Sequence, residues 1–260
     1  MIDIHSHIVF DVDDGSDSIE ESIRIIRKAQ ERGIKGMFAT PHFIEGSMTA
    51  EANEVKAKVD ILKDRLKAEN ITMPIYTGHE IYLDFDSLTH LKKGKSLTLN
   101  NTRYVLVELP MLEKLNDLDD ILFEFTMRGY TPIIAHPERY AYVQKDLNVV
   151  KRWIELGVLT QINLSTLYGR YGEDVKKTAI KMLKRQMYHL VGTDVHSSQS
   201  SALSVAAPLG RMKEIVGESM YNEIVHNNPQ KLIENRLINP FEIIPAKRPI
   251  LDLFKKRQER

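Results

Sequence analysis

The chain has 260 residues, in which 36 lysines and arginines balance 36 aspartates and glutamates, and 42% of the residues are hydrophobic. The balanced charge argues against general binding to nucleic acid, and no run of 18 apolar residues predicts insertion into a membrane. The lack of cysteine excludes disulfides, zinc–thiolate sites and a thiolate nucleophile. The chain begins Met1-Ile2-Asp3-Ile4-His5 without a basic stretch and apolar run, so we expect a cytoplasmic protein.

Short apolar runs flanked by turns predict buried parallel strands. They are Ile2 to Ile4, Gly36 to Ala39, Met73 to Thr77, Tyr104 to Val107, Pro132 to Ala135, Leu159 to Ile162 and Tyr188 to Val191. Gly33, Gly129 and Gly157 each stand between a helical segment and a strand, where a helix C-terminus favours a left-handed residue.

Helices are predicted between these strands. Ile19, Ile23 and Ile26 are spaced i, i+4, i+7 behind Ser18, and Glu21 stands three residues after that serine. The arrangement predicts an amphipathic helix that begins with a capping box. A second apolar stripe predicts another helix, at Val55, Val59, Leu62 and Leu66.

This alternation of strand and helix, repeated about seven times, predicts a parallel α/β fold, either an open doubly wound sheet or a barrel. In an open sheet the site gathers at one switch point, whereas a barrel places functional residues around its C-terminal rim. Nearly every predicted strand ends in a residue able to bind metal, which favours the barrel. We predict one domain over residues 1–245 and a basic tail over residues 246–260.

Histidines and carboxylates follow six of the predicted strand ends. His5 and His7 come after the first strand at i, i+2, so both imidazoles can face one ion. The later strand ends lead to His42, Glu80, Glu108, His136, Asp194 and His196. Among the nine histidines, only His90 and His226 look like solvated helix or loop residues, which favours a metal site over scattered surface histidines.

Imidazole and carboxylate ligands without sulfur suit Mn²⁺, Fe²⁺ or Zn²⁺ better than Ca²⁺ or a structural zinc. Two such ions about 3.5–4 Å apart would clamp the attacking and leaving oxygens of a phosphoester and activate a water. The sequence therefore predicts a metal-dependent phosphoester hydrolase whose nucleophile needs no cysteine.

Several nearby residues allow two interpretations. His79 precedes a predicted ligand on a strand and so faces the other way, which favours a core or supporting role, and His189 is predicted to be structural. Asp14 lies in an acidic turn that either caps a helix or binds metal, with Asp13 the weaker candidate. Arg139 either binds phosphate or is an ordinary surface arginine.

Six motifs carry a resemblance to a known family. They are Met1-Ile2-Asp3-Ile4-His5-Ser6-His7, Asp13-Asp14-Gly15, Thr40-Pro41-His42, Gly78-His79-Glu80-Ile81, Ala135-His136-Pro137-Glu138-Arg139 and Thr193-Asp194-Val195-His196. In order and spacing, over roughly the first 240 residues, they resemble the polymerase-and-histidinol-phosphatase family. They resemble most its manganese-dependent bacterial protein-tyrosine phosphatases of capsule and exopolysaccharide clusters.

The resemblance implies a distorted, TIM-like barrel of seven β/α units with two or three divalent ions, Mn²⁺ first and Fe²⁺, Zn²⁺ or Mg²⁺ as alternatives. It implies catalytic roles for Arg139, Glu108 and His136, with Arg139 contacting phosphate. The implied ligand sets are His5, His7, Glu80 and Asp194; Glu108 and His136 with Glu80 shared; and Asp14, His42 and His196.

The implied substrate is phosphotyrosine in the tail of a cognate tyrosine kinase that regulates capsule or exopolysaccharide synthesis. We expect a metal-activated hydroxide to attack phosphorus without a phosphoenzyme. Three alternatives stay open: a phosphatase of small esters such as histidinol phosphate, an amidohydrolase-type enzyme, and a non-catalytic kinase-binding regulator. The kinase tail would be the partner, not nucleic acid.

Two features separate from the metal motifs carry weaker expectations. The resembled family usually has a further arginine a few residues after Asp194-Val195-His196, where this chain has Ser197 to Ala202, and the resemblance therefore implies weaker substrate binding. The basic tail over residues 246–260 is either a solvated extension or a weak contact with a membrane surface or partner.

Overall fold

The computed structural model describes residues 1–245, and the predicted basic tail lies outside the described residues. The strands are β1 (Ile2–Ser6), β2 (Gly36–Ala39), β3 (His42–Phe43), β4 (Ile75–Thr77), β5 (Glu80–Tyr82), β6 (Tyr104–Glu108), β7 (Thr131–Ala135), β8 (Leu159–Asn163) and β9 (Leu190–Gly192). The α-helices are α1 (Ile19–Glu31), α2 (Ala52–Ala68), α3 (Ser87–Lys92), α4 (Leu118–Met127), α5 (Ala141–Lys145), α6 (Asn148–Glu155), α7 (Glu173–Lys184), α8 (Ala206–Asn222) and α9 (Asn228–Ile233).

The strands occupy seven positions around a distorted barrel, as predicted. All named pairs are parallel, in the orders β1-β2-β4 and β3-β5-β6-β7-β8-β9. Strands β2 and β3 are two segments of one barrel position, interrupted at Thr40 and Pro41, and β4 and β5 are likewise interrupted at Gly78 and His79. Ser6 bridges Val195 in parallel, which joins the first position to the end of the last.

Side chains alternate between two hydrophobic layers. Tyr104 and Leu106 of β6 belong to a small cluster inside the barrel, whereas Val105 and Val107 belong to the larger layer between strands and helices. This period of two puts Glu108 on the inward face, at the carboxyl end of the strand. Within residues 1–245, apolar side chains therefore fill the lower part of the barrel, and the candidate metal-binding side chains lie at its rim.

The predicted helix signals are confirmed, with one difference at the first helix. Ser18 caps α1 by accepting a hydrogen bond from the Glu21 amide at 3.3 Å. The Glu21 carboxylate does not complete a capping box. It accepts hydrogen bonds from the Ser198 amide at 2.6 Å and hydroxyl at 3.1 Å. Because Ser198 follows the Asp194-Val195-His196 motif, this contact anchors α1 to the loop that carries it.

Two strands begin two residues later than predicted. The strand predicted from Met73 begins at Ile75, although the Pro74 carbonyl still accepts from the Met37 amide at 3.0 Å. The strand predicted from Tyr188 begins at Leu190 and extends to Gly192. The three glycines predicted to end helices, Gly33, Gly129 and Gly157, have φ values of 88°, 83° and 85°.

Three of the remaining histidines are buried. His79 is structural, because its Nε2 lies 3.1 Å from the Ala50 carbonyl and its Nδ1 accepts from the Leu97 amide at 2.9 Å. Burial lowers the pKa of His79 to about 4. His189 is also structural, stacked against Phe241.

The prediction that His90 is solvated was wrong. It is 6% exposed on α3, with Nε2 3.2 Å from a Glu45 carboxylate oxygen and its ring against Phe43. A contact with a carboxylate such as Glu45 is typical of a histidine on a surface helix. However, α3 packs against β3, and Phe43 of that strand covers the His90 ring. His226 is exposed, as predicted.

We predict that His79→Leu lowers the free energy of unfolding by about 2–4 kcal/mol, because the Leu97 amide and Ala50 carbonyl would stay buried without partners. Urea unfolding in the presence of a chelator would measure it without a contribution from bound metal. His226→Leu is the matched control and should change stability little. Equal stability of both variants would contradict the structural role of His79.

Candidate metal centre

A cavity of about 340 Å³ opens at the carboxyl ends of the strands. Seven of the nine predicted ligands line it together with Arg139, and the other two, His5 and His7, are buried beneath. The full lining is Asp14, His42, Glu80, Glu108, His136, Arg139, Arg170, Tyr171, Asp194 and His196. The structure thus brings every residue predicted for the site into one cluster.

His5 and His7 form the floor of this cluster. Their Nε2 atoms lie 3.1 Å apart. The Glu80 Oε2 atom lies 3.0 Å from the first and 3.3 Å from the second, and the Asp194 Oδ1 atom lies 3.6 and 3.4 Å away. Two imidazole nitrogens and two carboxylate oxygens therefore converge on one point.

A chain of hydrogen bonds fixes the tautomer of His5. The Asp194 carboxylate can only accept, so the bond of 2.7 Å identifies the Asn163 atom facing it as the donating Nδ2. The Asn163 carbonyl then accepts from Gln161 Nε2 at 2.9 Å. This leaves the Gln161 carbonyl, 3.0 Å from His5 Nδ1, as an acceptor. The proton of neutral His5 is therefore on Nδ1, and Nε2 presents a lone pair to the cluster.

Asp13 has the same effect on His7. Its Oδ2 lies 2.7 Å from His7 Nδ1 and accepts from the His42 amide at 3.0 Å. In neutral His7 the proton is therefore on Nδ1, and Nε2 would offer a metal ion a lone pair beside that of His5. Asp13, the weaker of the two aspartate candidates, faces away from the cluster and orients a ligand.

The electrostatics of the floor demand positive charge. Burial alone would lower the pKa of His5, yet the Glu80 and Asp194 carboxylates raise it to about 9. Burial and repulsion from Glu80 raise the pKa of Glu108 to about 8. The carboxylates can keep their charges together only if protons or cations lie between them.

Further donors surround the mouth of the cavity. His196 stacks on His7 with ring centroids 3.9 Å apart, and its Nε2 lies 3.4 Å from Asp14 Oδ1. His42 places Nε2 3.6 Å from the same Asp14 oxygen and Nδ1 3.2 Å from Glu80 Oε2. Asp14 is exposed, so this group of ligands is the most open to solvent.

The opposite wall carries His136 and Arg139. His136 Nε2 lies 3.2 Å from one Glu80 oxygen and 3.6 Å from one Glu108 oxygen. Arg139 Nη1 donates to Asp194 Oδ2 at 3.0 Å, and the Arg139 guanidinium carbon lies 4.6 Å from the centre of the Tyr171 ring. A cation able to meet phosphate therefore stands beside the carboxylate cluster.

The donor set fits divalent metal ions. Several ligand groups lie within 4.8 Å of one another, including His5, His7 and Glu80. Glu80 Oε2 and His42 Nδ1 are buried, and their imidazole and carboxylate neighbours among the described residues, 3.0–3.3 Å away, do not have the geometry of hydrogen bonds. Orphaned buried acceptors cost about 1–3 kcal/mol each, and metal coordination would satisfy these two.

The backbone is strained where it delivers two of these residues. His136 and Asp194 have left-handed conformations, with φ values of 33° and 54°. Such strain costs about 1–3 kcal/mol for a residue with a side chain and clusters at functional sites. Gly192 allows the last strand to approach the first, because a Cβ there would lie 2.7 Å from the Cβ of His5.

Sequence reasoning missed four residues of the site, namely Gln161, Asn163, Arg170 and Tyr171. The first two end β8 at i, i+2, the same spacing as His5 and His7. The sequence prediction considered only ionisable ligands and therefore omitted these two amides, although both lie at the end of a predicted strand. Arg170 and Tyr171 lie on a loop, where no periodic pattern marks their direction.

A barrel that carries a cluster of imidazoles and carboxylates at its carboxyl rim is typical of metal-dependent hydrolases. Its sequence matches the capsular polysaccharide synthesis CpsB/CapC family over residues 1–234, and the chain belongs to this family. This confirms the relationship that the six motifs indicated.

Curated relatives cover nearly the whole chain. The tyrosine-protein phosphatase CpsB of Streptococcus pneumoniae is 34% identical, covering 92% of this chain and 100% of the relative. The tyrosine-protein phosphatase YwqE of Bacillus subtilis is 30% identical, covering 95% and 97%.

Solved structures agree with the fold. A crystal structure from work on YwqE and CpsB, described as unique metal-dependent tyrosine phosphatases, superposes with a TM-score of 0.90 at 29% identity, covering 95% of this chain and 100% of that one. A β-aspartyl dipeptidase from Fervidobacterium islandicum has a TM-score of 0.53 at 14% identity, covering 93% and 75%, and so shares the fold alone.

We predict that Gln161→Ala weakens Mn²⁺ binding about 10–100-fold, because His5 loses the partner that fixes its tautomer. Calorimetric titration of metal into the chelator-stripped protein would measure the dissociation constant. Gln230→Ala, on the surface of α9, is the control and should leave the titration unchanged. Wild-type affinity in Gln161→Ala would contradict the role of the amide chain.

Proposed function

We propose that this chain is a metal-dependent protein-tyrosine phosphatase. The single observation that carries the proposal is the convergence of the His5 and His7 Nε2 atoms with the Glu80 and Asp194 carboxylates beneath an arginine-lined cavity. The names of the relatives support the reaction class, and the lack of cysteine in the chain requires a nucleophile other than thiolate.

The proposed ligands form three groups. His5, His7, Glu80 and Asp194 would hold one ion, and Glu80 would be shared with a second ion held by Glu108 and His136. The proposed third group is Asp14, His42 and His196. The separations of about 3–4 Å between these donor atoms support such a cluster, and Mn²⁺ is the proposed metal, with Fe²⁺, Zn²⁺ and Mg²⁺ as alternatives.

The residues of the chain prepare the site for a phosphate monoester. Arg139 is positioned by Asp194 and Tyr171 to bind phosphoryl oxygens, and Glu108 and His136 line the same cavity. When bound, divalent ions would supply an activated water and neutralise charge on the phosphoryl group. Phenolate is a fair leaving group, with a pKa near 10, so little acid assistance is needed.

The proposed substrate protein is a tyrosine kinase of capsule synthesis. Membership in a capsular polysaccharide synthesis family supports this connection. No helix within residues 1–245 has the length and apolarity to cross a membrane. A cytoplasmic location, the single domain over residues 1–245 and a separate basic tail belong to the same proposal.

His136→Asn should lower kcat/KM for a phosphotyrosine peptide at least about a hundredfold in Mn²⁺, because loss of a ligand should exceed the 10–100-fold cost of losing an outer partner. Asparagine tolerates the left-handed backbone at this position, so the fold should persist. Phosphate release would be measured beside the exposed control His226→Asn.

The same assay separates the proposal from its rivals. Faster turnover of histidinol phosphate than of the peptide would favour a small-molecule phosphatase. Absence of turnover in wild-type protein loaded with Mn²⁺ would favour the kinase-binding regulator. Full activity of His136→Asn would refute the proposed ligand set.

Asp14→Ala should reduce the number of bound Mn²⁺ ions by one and leave the more buried ions in place, because Asp14 belongs to the most exposed ligand group. Elemental analysis after gel filtration would count the ions. Asp17→Ala, in the same loop region, is the control. An unchanged metal count would remove Asp14 from the ligand set.

A further inference from the structure

A second cavity of about 350 Å³ adjoins the metal cavity. Its walls include Tyr168, Ser201, Ala207 and Pro208, and it shares Arg170 with the metal cavity. Two other surface cavities, near Arg32 and near Lys67, share no residue with the metal cavity. Arg170 therefore lies between the two cavities and lines both.

The positive charge of Arg170 has no carboxylate partner among the described residues. Within residues 1–245, no carboxylate oxygen lies within 4.0 Å of its guanidinium nitrogens. Its Nη1 donates to the Ser201 hydroxyl at 2.9 Å, and its guanidinium carbon lies 5.8 Å from the centre of the Tyr171 ring. Arg139, in contrast, pairs with Asp194. The remaining donors of Arg170 are available to a carboxylate or carbonyl oxygen of a ligand.

The walls of the second cavity are held by local structure. A 3-10 turn at Leu164–Tyr168 ends at Gly169, whose φ of 80° turns the chain before Arg170. Ser200 caps the turn Ser201–Leu203 by accepting from the Ala202 amide at 3.2 Å. Tyr168 is 61% exposed, so the cavity presents an uncovered aromatic ring beside the arginine. A preformed surface of this kind can bind a segment without first being ordered.

We propose that this second cavity is a subsite for the polypeptide next to the phosphotyrosine, with Arg170 as a specificity-determining residue. The inference rests on the proposed phosphatase function. A cavity of about 340 Å³ can enclose a phosphorylated phenol, but the substrate backbone must continue outside it. The second cavity lies on such a path. Its apolar walls accept an apolar or aromatic neighbour, and Arg170 binds the adjacent backbone carbonyl or an acidic side chain.

The test compares three substrates: a phosphotyrosine peptide with leucine neighbours, the same peptide with glycine neighbours, and para-nitrophenyl phosphate. Wild-type protein with Mn²⁺ should prefer the leucine peptide. Arg170→Gln removes the charge, and Ala207→Trp fills the cavity from an exposed position. Each should lower the ratio of kcat/KM for the leucine peptide to that for para-nitrophenyl phosphate about tenfold, mainly through KM.

Two variants serve as matched controls. Arg211→Gln makes the same chemical change on α8 outside both cavities, and Ala207→Ser keeps the cavity open. Both should retain the wild-type ratio. A ratio unaffected by Arg170→Gln and Ala207→Trp would overturn the subsite. An equal loss on all three substrates in Arg170→Gln would also overturn it, because Arg170 would then contact the phosphoryl group.

Failure of the proposed function has a different signature. If wild-type protein loaded with Mn²⁺ hydrolyses none of the three substrates, the phosphatase function itself is refuted and the subsite with it. If wild-type protein hydrolyses all three with no preference for the leucine peptide, the phosphatase function stands and the subsite alone is overturned.

Discussion

Repulsion among the carboxylates of Glu80, Glu108 and Asp194 is the constraint around which this rim is built. Burial and repulsion from Glu80 raise the pKa of Glu108 to about 8. Burial would lower the pKa of His5, but attraction to the Glu80 and Asp194 carboxylates raises it to about 9. These carboxylates need nearby positive charge. Arg139 supplies part of it, but it lies at one side of the cluster and pairs with Asp194. Divalent cations would relieve the repulsion at the point where the lone pairs converge.

Closure of the barrel brings these groups together. The Asp194 amide donates to the His5 carbonyl at 2.9 Å, and the His7 amide donates to the Val195 carbonyl at 2.9 Å. Beneath them, Asp3 accepts from the Thr193 amide at 2.8 Å and from its hydroxyl at 2.5 Å. Burial raises the pKa of Asp3 to about 6, a cost that these hydrogen bonds offset. The first and last strands are thus joined by polar contacts directly under the cluster.

Much of this arrangement could be predicted from the sequence, because it follows from periodicity. Strand ends located the clustered candidate ligands, and alternation placed His79 away from the site. These periodicity rules do not predict tertiary packing. Packing buries His90 against the Phe43 strand and places the Glu21 carboxylate against Ser198. The amides Gln161 and Asn163 obeyed the strand-end rule but were overlooked, because they act through another residue and bear no charge.

Arg170 bears on the one departure from the family pattern that the sequence indicated. The segment from Ser197 to Ala202 lacks the arginine expected there, and weaker substrate binding was predicted from the missing charge. The fold, however, places the Arg170 guanidinium against Ser201 from a different loop. Long-range attraction of a phosphate dianion depends on charge near the cavity, whereas a bidentate contact depends on the position of the guanidinium. In the proposed subsite, Arg170 adds positive charge beside the metal cavity and binds the polypeptide through its guanidinium.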